Sequence, residues 1–368
     1  MNDLPNLNKE EVHQAVGHLV LDNFPFVDSK VSKKVWLHSF QSALSGIENL
    51  SAEEFITAVK KSLDILEHSH TYLEELPTGP QYVPEFDSTA YIDGALYAKY
   101  SGEVVKIQSV DGREVTQNLF RTPADLERKL LRKNNGDSYK IGAETLSGEV
   151  IDLTIPALAP QDIAMEDARA PFGCKTLDDK SVYIWVDSWG KQLEAYDLGE
   201  ELDKYLNAER WIIDLRRNGG GDSRNNKPFI SPLFEKETDV GSYTQDNKGN
   251  KVHFRIQIEE GTKKFNGAVD LLIGPDSFSS TEIFIILLTE TGRARTIGEK
   301  TGGGSGNPIS KSFMYEGVPW MLKVARWWII RGDECYLEGN GIKPDFEVKK
   351  TVEDFVTGRD SVLEFAEI

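Results

Sequence analysis

From Asn8 to about Leu76 the apolar residues recur at helical spacing. Val12, Ala15, Val16 and Leu19 form one stripe, and Val35, Leu37, Phe40 and Leu44 form another. A third helix is predicted to open at Ser51, where Glu54 completes a Ser-x-x-Glu capping pattern, and to run through Phe55, Val59, Leu63 and Leu66. Its exit carries His68 and His70. The Pro- and Gly-rich stretch from Pro77 to Phe86 ends this periodicity, and short β-like runs follow. Val104, Val105 and Ile107 lead into a hairpin-type Asp111-Gly112 turn; a helix is predicted from Thr122-Pro123 and a second hairpin at Asn135-Gly136. From about Ser181 strands and helices alternate: Val182 to Val186, a helix near Asp197 to Asn207, Trp211 to Leu215, Val269 to Ile273, then an apolar helix through Ile283 to Leu288. The pattern predicts a helical domain over 1–80, a small β-rich domain over 81–165 and an α/β core over 166–368.

Charge narrows the partners. The 368 residues hold 42 Lys+Arg against 60 Asp+Glu, a net charge of −18, which argues against sequence-nonspecific nucleic-acid or anionic-membrane binding. On that balance the expected partners are neutral or basic. No run approaches the roughly 18 apolar residues of a membrane span, and the opening MNDLPNLNKEEV lacks the basic-then-apolar order of a signal peptide. The expectation is a cytoplasmic protein without membrane insertion, although an exported form already relieved of its signal would read the same. Cys174 and Cys335 have no CxxC spacing, so neither a disulfide framework nor a zinc site is expected. HExxH, GxxxxGK[ST] and GxSxG are absent, which removes zincins, P-loop enzymes and ordinary α/β-hydrolases. No cofactor and no metal are expected.

In an open α/β sheet ligands bind beyond the carboxyl ends of the strands, so the loops leaving those ends carry the candidate chemistry. One strand exits into Arg216-Arg217-Asn218-Gly219-Gly220-Gly221, where glycines let backbone N–H groups face an anion without Cβ obstruction. Another exits through Gly274-Pro275-Asp276-Ser277-Phe278 to Ser279 at the mouth of the apolar helix. Ser279 and Glu282 fit an ordinary capping box; they equally fit a nucleophilic hydroxyl with oxyanion donors beside it. Both readings stand on the residues alone.

Four blocks in order resemble the tail-specific, or C-terminal processing, proteases and their retinoid-binding-protein-type relatives. Asp214-Leu215-Arg216-Arg217-Asn218-Gly219-Gly220-Gly221 resembles DLRxNGGG, and Ser279-Ser280-Thr281-Glu282 resembles S-A-S-E. Gly298-Glu299-Lys300-Thr301-Gly302-Gly303 resembles GExTxG, and Gly339 to Asp345 resembles GxGIxPD. The resemblance implies an α/β, crotonase-like catalytic core, and Gly102 to Arg113 is similar to the core of a PDZ-like domain.

That resemblance also implies Ser279 as nucleophile, with an oxyanion hole from Ser280 and Gly219 or Gly220. Many members carry a lysine base at the position of Gly304. A branch resembling chlamydial protease-like activity factor instead takes a histidine from a D-x-H pattern and a glutamate just before GxGxxPD, matching His70 and Glu338; His68 stands where that pattern has Asp. A serine is a poor nucleophile until an imidazole accepts its proton and a carboxylate orients the imidazole. The expected function is therefore a serine endopeptidase acting on peptides or proteins through Ser279, His70 and Glu338, with a homodimer as the assembly considered. The alternative is a catalytically silent peptide- or hydrophobic-ligand-binding protein on the same fold.

Overall fold

The computed structural model describes residues 4–368 apart from 28, 30, 80, 116–129, 133–136, 160–168, 179 and 305. The helix expected from Thr122-Pro123, the hairpin at Asn135-Gly136 and the boundary near 165 lie outside the described residues.

The core is a six-stranded sheet in the spatial order Phe172–Thr176, Ser181–Val186, Arg210–Asp214, Ala268–Ile273, Arg295–Gly298, Phe346–Glu347. The first pair is antiparallel and every later neighbour is parallel. Parallel strands are covered on both faces, which is why these segments read as unbroken apolar runs. Alternate residues go to opposite layers. Ile184, Trp211, Ile213, Leu271 and Ile273 pack with Phe284 to Leu288 of the helix Ser280–Glu290. Tyr183, Ile212, Leu272 and Ile297 face the other way, against Val362 and Ala366 of the C-terminal helix Ser361–Ala366. Three loops leave the carboxyl edge of this sheet side by side: 215–221, 274–279 and 299–304.

The front end forms the expected three helices, Lys9–Asn23, Lys33–Ala43 and Ala52–Asp64, and the third is closed by the Ser51/Glu54 capping box. It does not have a core to itself. Val12, Val16, Trp36, Phe55 and Leu63 share one cluster with Phe313, Trp320, Leu322, Val324 and Trp328 from the far end of the chain. Strand Tyr72–Glu75 adds to the edge of the hairpin Ile309–Tyr315/Val318–Val324, pairing Tyr72 with Lys323. The boundary near 80 is thus a change of pattern along the sequence rather than a gap in packing. The β-rich module runs in the order Ser88–Ile92, Ala95–Tyr100, Glu103–Val110, Tyr139–Thr145, Val150–Ile155 around Leu96, Val105, Ile107, Tyr139 and Ile141. Asp111 and Gly112 make the expected turn with φ of 50° and 76°.

Because Phe313 is fully buried where the front helices meet the hairpin, Phe313→Ala is expected to destabilise that unit by about 3–5 kcal/mol. Urea unfolding followed by tryptophan fluorescence checks this, and a loss below about 1 kcal/mol would contradict the shared core.

Candidate active site

Ser279 ends the loop from strand Ala268–Ile273 and begins the helix Ser280–Glu290, with φ of 60° and ψ of −123°. Positive φ is costly for a residue with a Cβ, so the neighbours must impose it. The Ser279 N–H is shared between the Gly304 carbonyl at 2.9 Å and Glu282 Oε2 at 3.1 Å. Glu282 does more than close a capping box. Its fully buried carboxylate also accepts from Thr301 Oγ1 at 2.5 Å and from the N–H groups of Gly303 and Gly304, both at 2.9 Å. Burial pushes this carboxyl up to about 7, while the surrounding donors pull the other way. The S-x-x-E spacing was a signal for Glu282, but an ordinary helix cap accounts for the same spacing.

The glycine loop approaches from the next strand. Gly220, with φ of 100°, lies so close that a Cβ there would sit 2.8 Å from Ser279 Cβ and 2.9 Å from the Phe278 carbonyl oxygen. Only glycine allows that approach. Asn218, fully buried, joins the two loops: its Oδ1 accepts from Gly220 N–H at 3.0 Å and Thr281 Oγ1 at 2.7 Å, and its carbonyl accepts from Phe278 N–H at 3.1 Å. The Gly220 N–H is therefore engaged, whereas Gly219 is exposed and lines a cavity of about 940 Å³ together with Ser279. Ser280 is the first residue of the helix, where backbone N–H groups lack intrahelical acceptors.

The two histidines part company. His70 lines the same cavity as Ser279, and its ring stacks on Phe278 at 5.1 Å with planes 3° apart. His68 is buried against Trp328 at 4.6 Å and Phe24 at 5.8 Å, and burial pushes its pKa down to about 3. Thr71 anchors their shared turn, its N–H donating to the His68 carbonyl at 2.9 Å and its hydroxyl accepting from Ala325 N–H at 3.0 Å.

Glu338, expected to orient His70, accepts from Ser69 N–H at 2.5 Å and lies 3.5 Å from His68 Nδ1, while Ser69 Oγ sits 3.2 Å from His70 Nδ1. Nothing in the sequence singled out Ser69. One side-chain ligand atom from each of His68, His70 and Glu338 lies within 4.8 Å of the others, a spacing that suits a metal ion. Those groups already bond to the loop, since His70 N–H donates to His68 Nδ1 at 3.3 Å.

Gly304 explains the missing lysine. A Cβ there would meet Ser69 Oγ at 2.2 Å and the Phe278 ring at 2.6 Å, so the histidine-bearing turn fills the space a side chain would need.

Residues 180–348 match the profile of Peptidase family S41. The chain is 22% identical over 271 residues to the tricorn protease of Thermoplasma acidophilum, covering 71% of this chain and 23% of that protein, so it spans about a quarter of that relative's length. Among solved structures it resembles mature CPAF complexed with lactacystin, with a TM-score of 0.70, 14% identity and coverage of 98% and 97% of the two chains. It also resembles a photosystem II D1 C-terminal processing protease, with a TM-score of 0.60, 14% identity and 93% of each chain covered. These structural likenesses show the fold.

Two outcomes follow from this geometry. Gly304→Ala must push on Phe278 and through it on His70, and its reaction with a serine-directed fluorophosphonate is expected to slow more than roughly tenfold while cooperative unfolding is kept; unchanged labelling would contradict the packing. His68, depressed in the folded state, leaves the unfolded chain to bind the proton first as pH falls below about 6.5. Its contribution to stability is present above that pH and lost on acidification. His68→Gln should therefore lose about 1.4 kcal/mol less than wild type between roughly pH 7.5 and pH 5.5 in urea unfolding. An equal loss would mean that His68 is not held neutral.

Proposed function

We propose that the protein is a serine endopeptidase that hydrolyses peptide bonds of peptide or protein substrates, on a crotonase-like core flanked by a PDZ-like module. The observation that carries this reading is that Ser279, strained at a helix mouth, lines one cavity with His70, whose ring is stacked on the residue before it. Ser279 Oγ attacks the carbonyl carbon as the His70 imidazole takes its proton. The negative charge forming on the carbonyl oxygen is met by the N–H groups of Ser280 and Gly219. His70 then passes the proton to the leaving amine, and a water repeats the sequence on the acyl-enzyme. Glu338 acts through the 68–71 turn, fixing Ser69, which in turn meets His70. Gly304 is no sign of lost activity, because the histidine route occupies the space that a lysine route would use.

Fluorophosphonate labelling with adduct mass spectrometry tests the reading. The label is expected on Ser279, absent in Ser279→Ala and slowed by about 10² or more in His70→Ala, with a smaller loss in Glu338→Gln. Casein should be cleaved in the same order of variants. No labelling of folded wild type, or labelling that survives His70→Ala but not His68→Ala, would overturn the assignment.

A further inference from the structure

The cavity at Ser279 extends outward between the core, the strands Ser88–Ile92 and Ala95–Tyr100, and the two C-terminal helices. Its charge is opposite to that of the chain. Eight cationic side chains line it against five acidic ones, in a protein whose net charge is −18.

The cations lie at both ends. Arg217 follows the catalytic edge on the glycine loop with its side chain 52% exposed, and its ion pair with Asp187 spans 3.8 Å. Lys323 stands beside the strand that follows the histidine-bearing turn, 3.7 Å from Glu74. Farther out, Lys99 and Lys350 both lie over the ring of Phe355, at 5.5 and 5.1 Å, and the exposed Arg132 lines the same wall. Long or exposed pairs of this kind are worth little and give way to a better partner. Three lining cations are tied down, Arg169 to Asp187 at 2.6 Å, Arg359 to Glu364 and Arg216 to two lining acids, and so are most of the lining acids. Asp214 and Asp360 both bond to the buried side of Arg216, at 2.9 and 2.7 Å, and Asp354 accepts from Thr351 and Ser361. The remaining acids, Asp276 and Glu299, are fewer than the outward-facing cations, and burial raises the Glu299 carboxyl above its ordinary range.

We propose that this cleft binds acidic peptide segments, so that the substrates carry carboxylates along the stretch lying between Ser279 and Phe355. The proposal rests on the peptidase reading for the word substrate, but not for the binding itself. A cleft with low-dielectric walls focuses its field, so a positive cleft on a negative protein draws acidic chains to the nucleophile while the remaining surface repels them. The ring of Phe355 beside the two ammonium groups adds an apolar contact next to a carboxylate-binding pair. The net charge of the sequence pointed toward neutral or basic partners; its local distribution points the other way.

Ser279→Ala protein, which needs no turnover, is titrated with fluorescein-labelled peptides of equal length that are rich in Glu, in Gln or in Lys, and anisotropy is read. The Glu peptide is expected to bind roughly tenfold or more tighter than the Gln peptide at about 50 mM salt, with the gap closing near 0.5 M. Lys99→Glu/Lys350→Glu should erase that gap, and the exposed Arg132→Glu should narrow it if the double variant does not fold. Equal binding of Glu and Gln peptides, tightest binding of the Lys peptide, or no binding of any would overturn the proposal. Binding of the Glu peptide combined with unlabelled wild type would instead overturn the peptidase reading and keep the cleft.

Discussion

The edge that carries Ser279 hangs on one buried carboxylate. Burying an isolated charge costs several kcal/mol, and Glu282 is tolerable because Ser279, Thr301, Gly303 and Gly304 all donate to it. Those donors come from the serine turn and from the loop after the next strand, so satisfying the carboxylate fixes the two loops against each other. The strained backbone of Ser279 persists for the same reason: relaxing it would withdraw a hydrogen bond from a group with no water to replace it. Asn218 does the corresponding work on the other side, clamping the glycine loop to the same helix start.

A second dependence runs through the front of the molecule. His70 comes from a segment more than two hundred residues before Ser279. It is delivered by strand Tyr72–Glu75 pairing with the hairpin Val318–Val324 and by a helical bundle whose core the hairpin completes. Glu338 then ties the 68–71 turn to the segment that precedes the last core strand, Phe346–Glu347. Loosening the front unit would separate His70 from Ser279 without disturbing either one locally, so on the proposed reading stability of the front unit and chemistry at the edge are coupled.

What was legible in the sequence follows from what local pattern encodes. The core strands were readable because burial on both faces leaves continuous apolar runs, and the helix after Ser279 because it is apolar on nearly every side. The ends of two strands led to Ser279 and the glycine loop, and the choice of His70 over His68 rested on the family resemblance. What stayed hidden was non-local. Ser69 acts only through a turn that sets it between Glu338 and His70. The front helices could not reveal that their core is finished by Phe313 and Trp320. The cationic cleft is invisible to a net charge, which sums over all surfaces and says nothing about any one of them.

The central claim is that Ser279 and His70 form one chemical unit across the seam between the front and the core. A peptide boronate adds to an activated serine as a tetrahedral anion and leaves the partnering imidazole protonated, so histidine-selective NMR of the adduct reads that unit directly. The account predicts that the ring nitrogens of His70 shift to the imidazolium state when the boronate adds at Ser279, while His68 stays neutral. An adduct that leaves His70 unchanged, or one that protonates His68 instead, would contradict it.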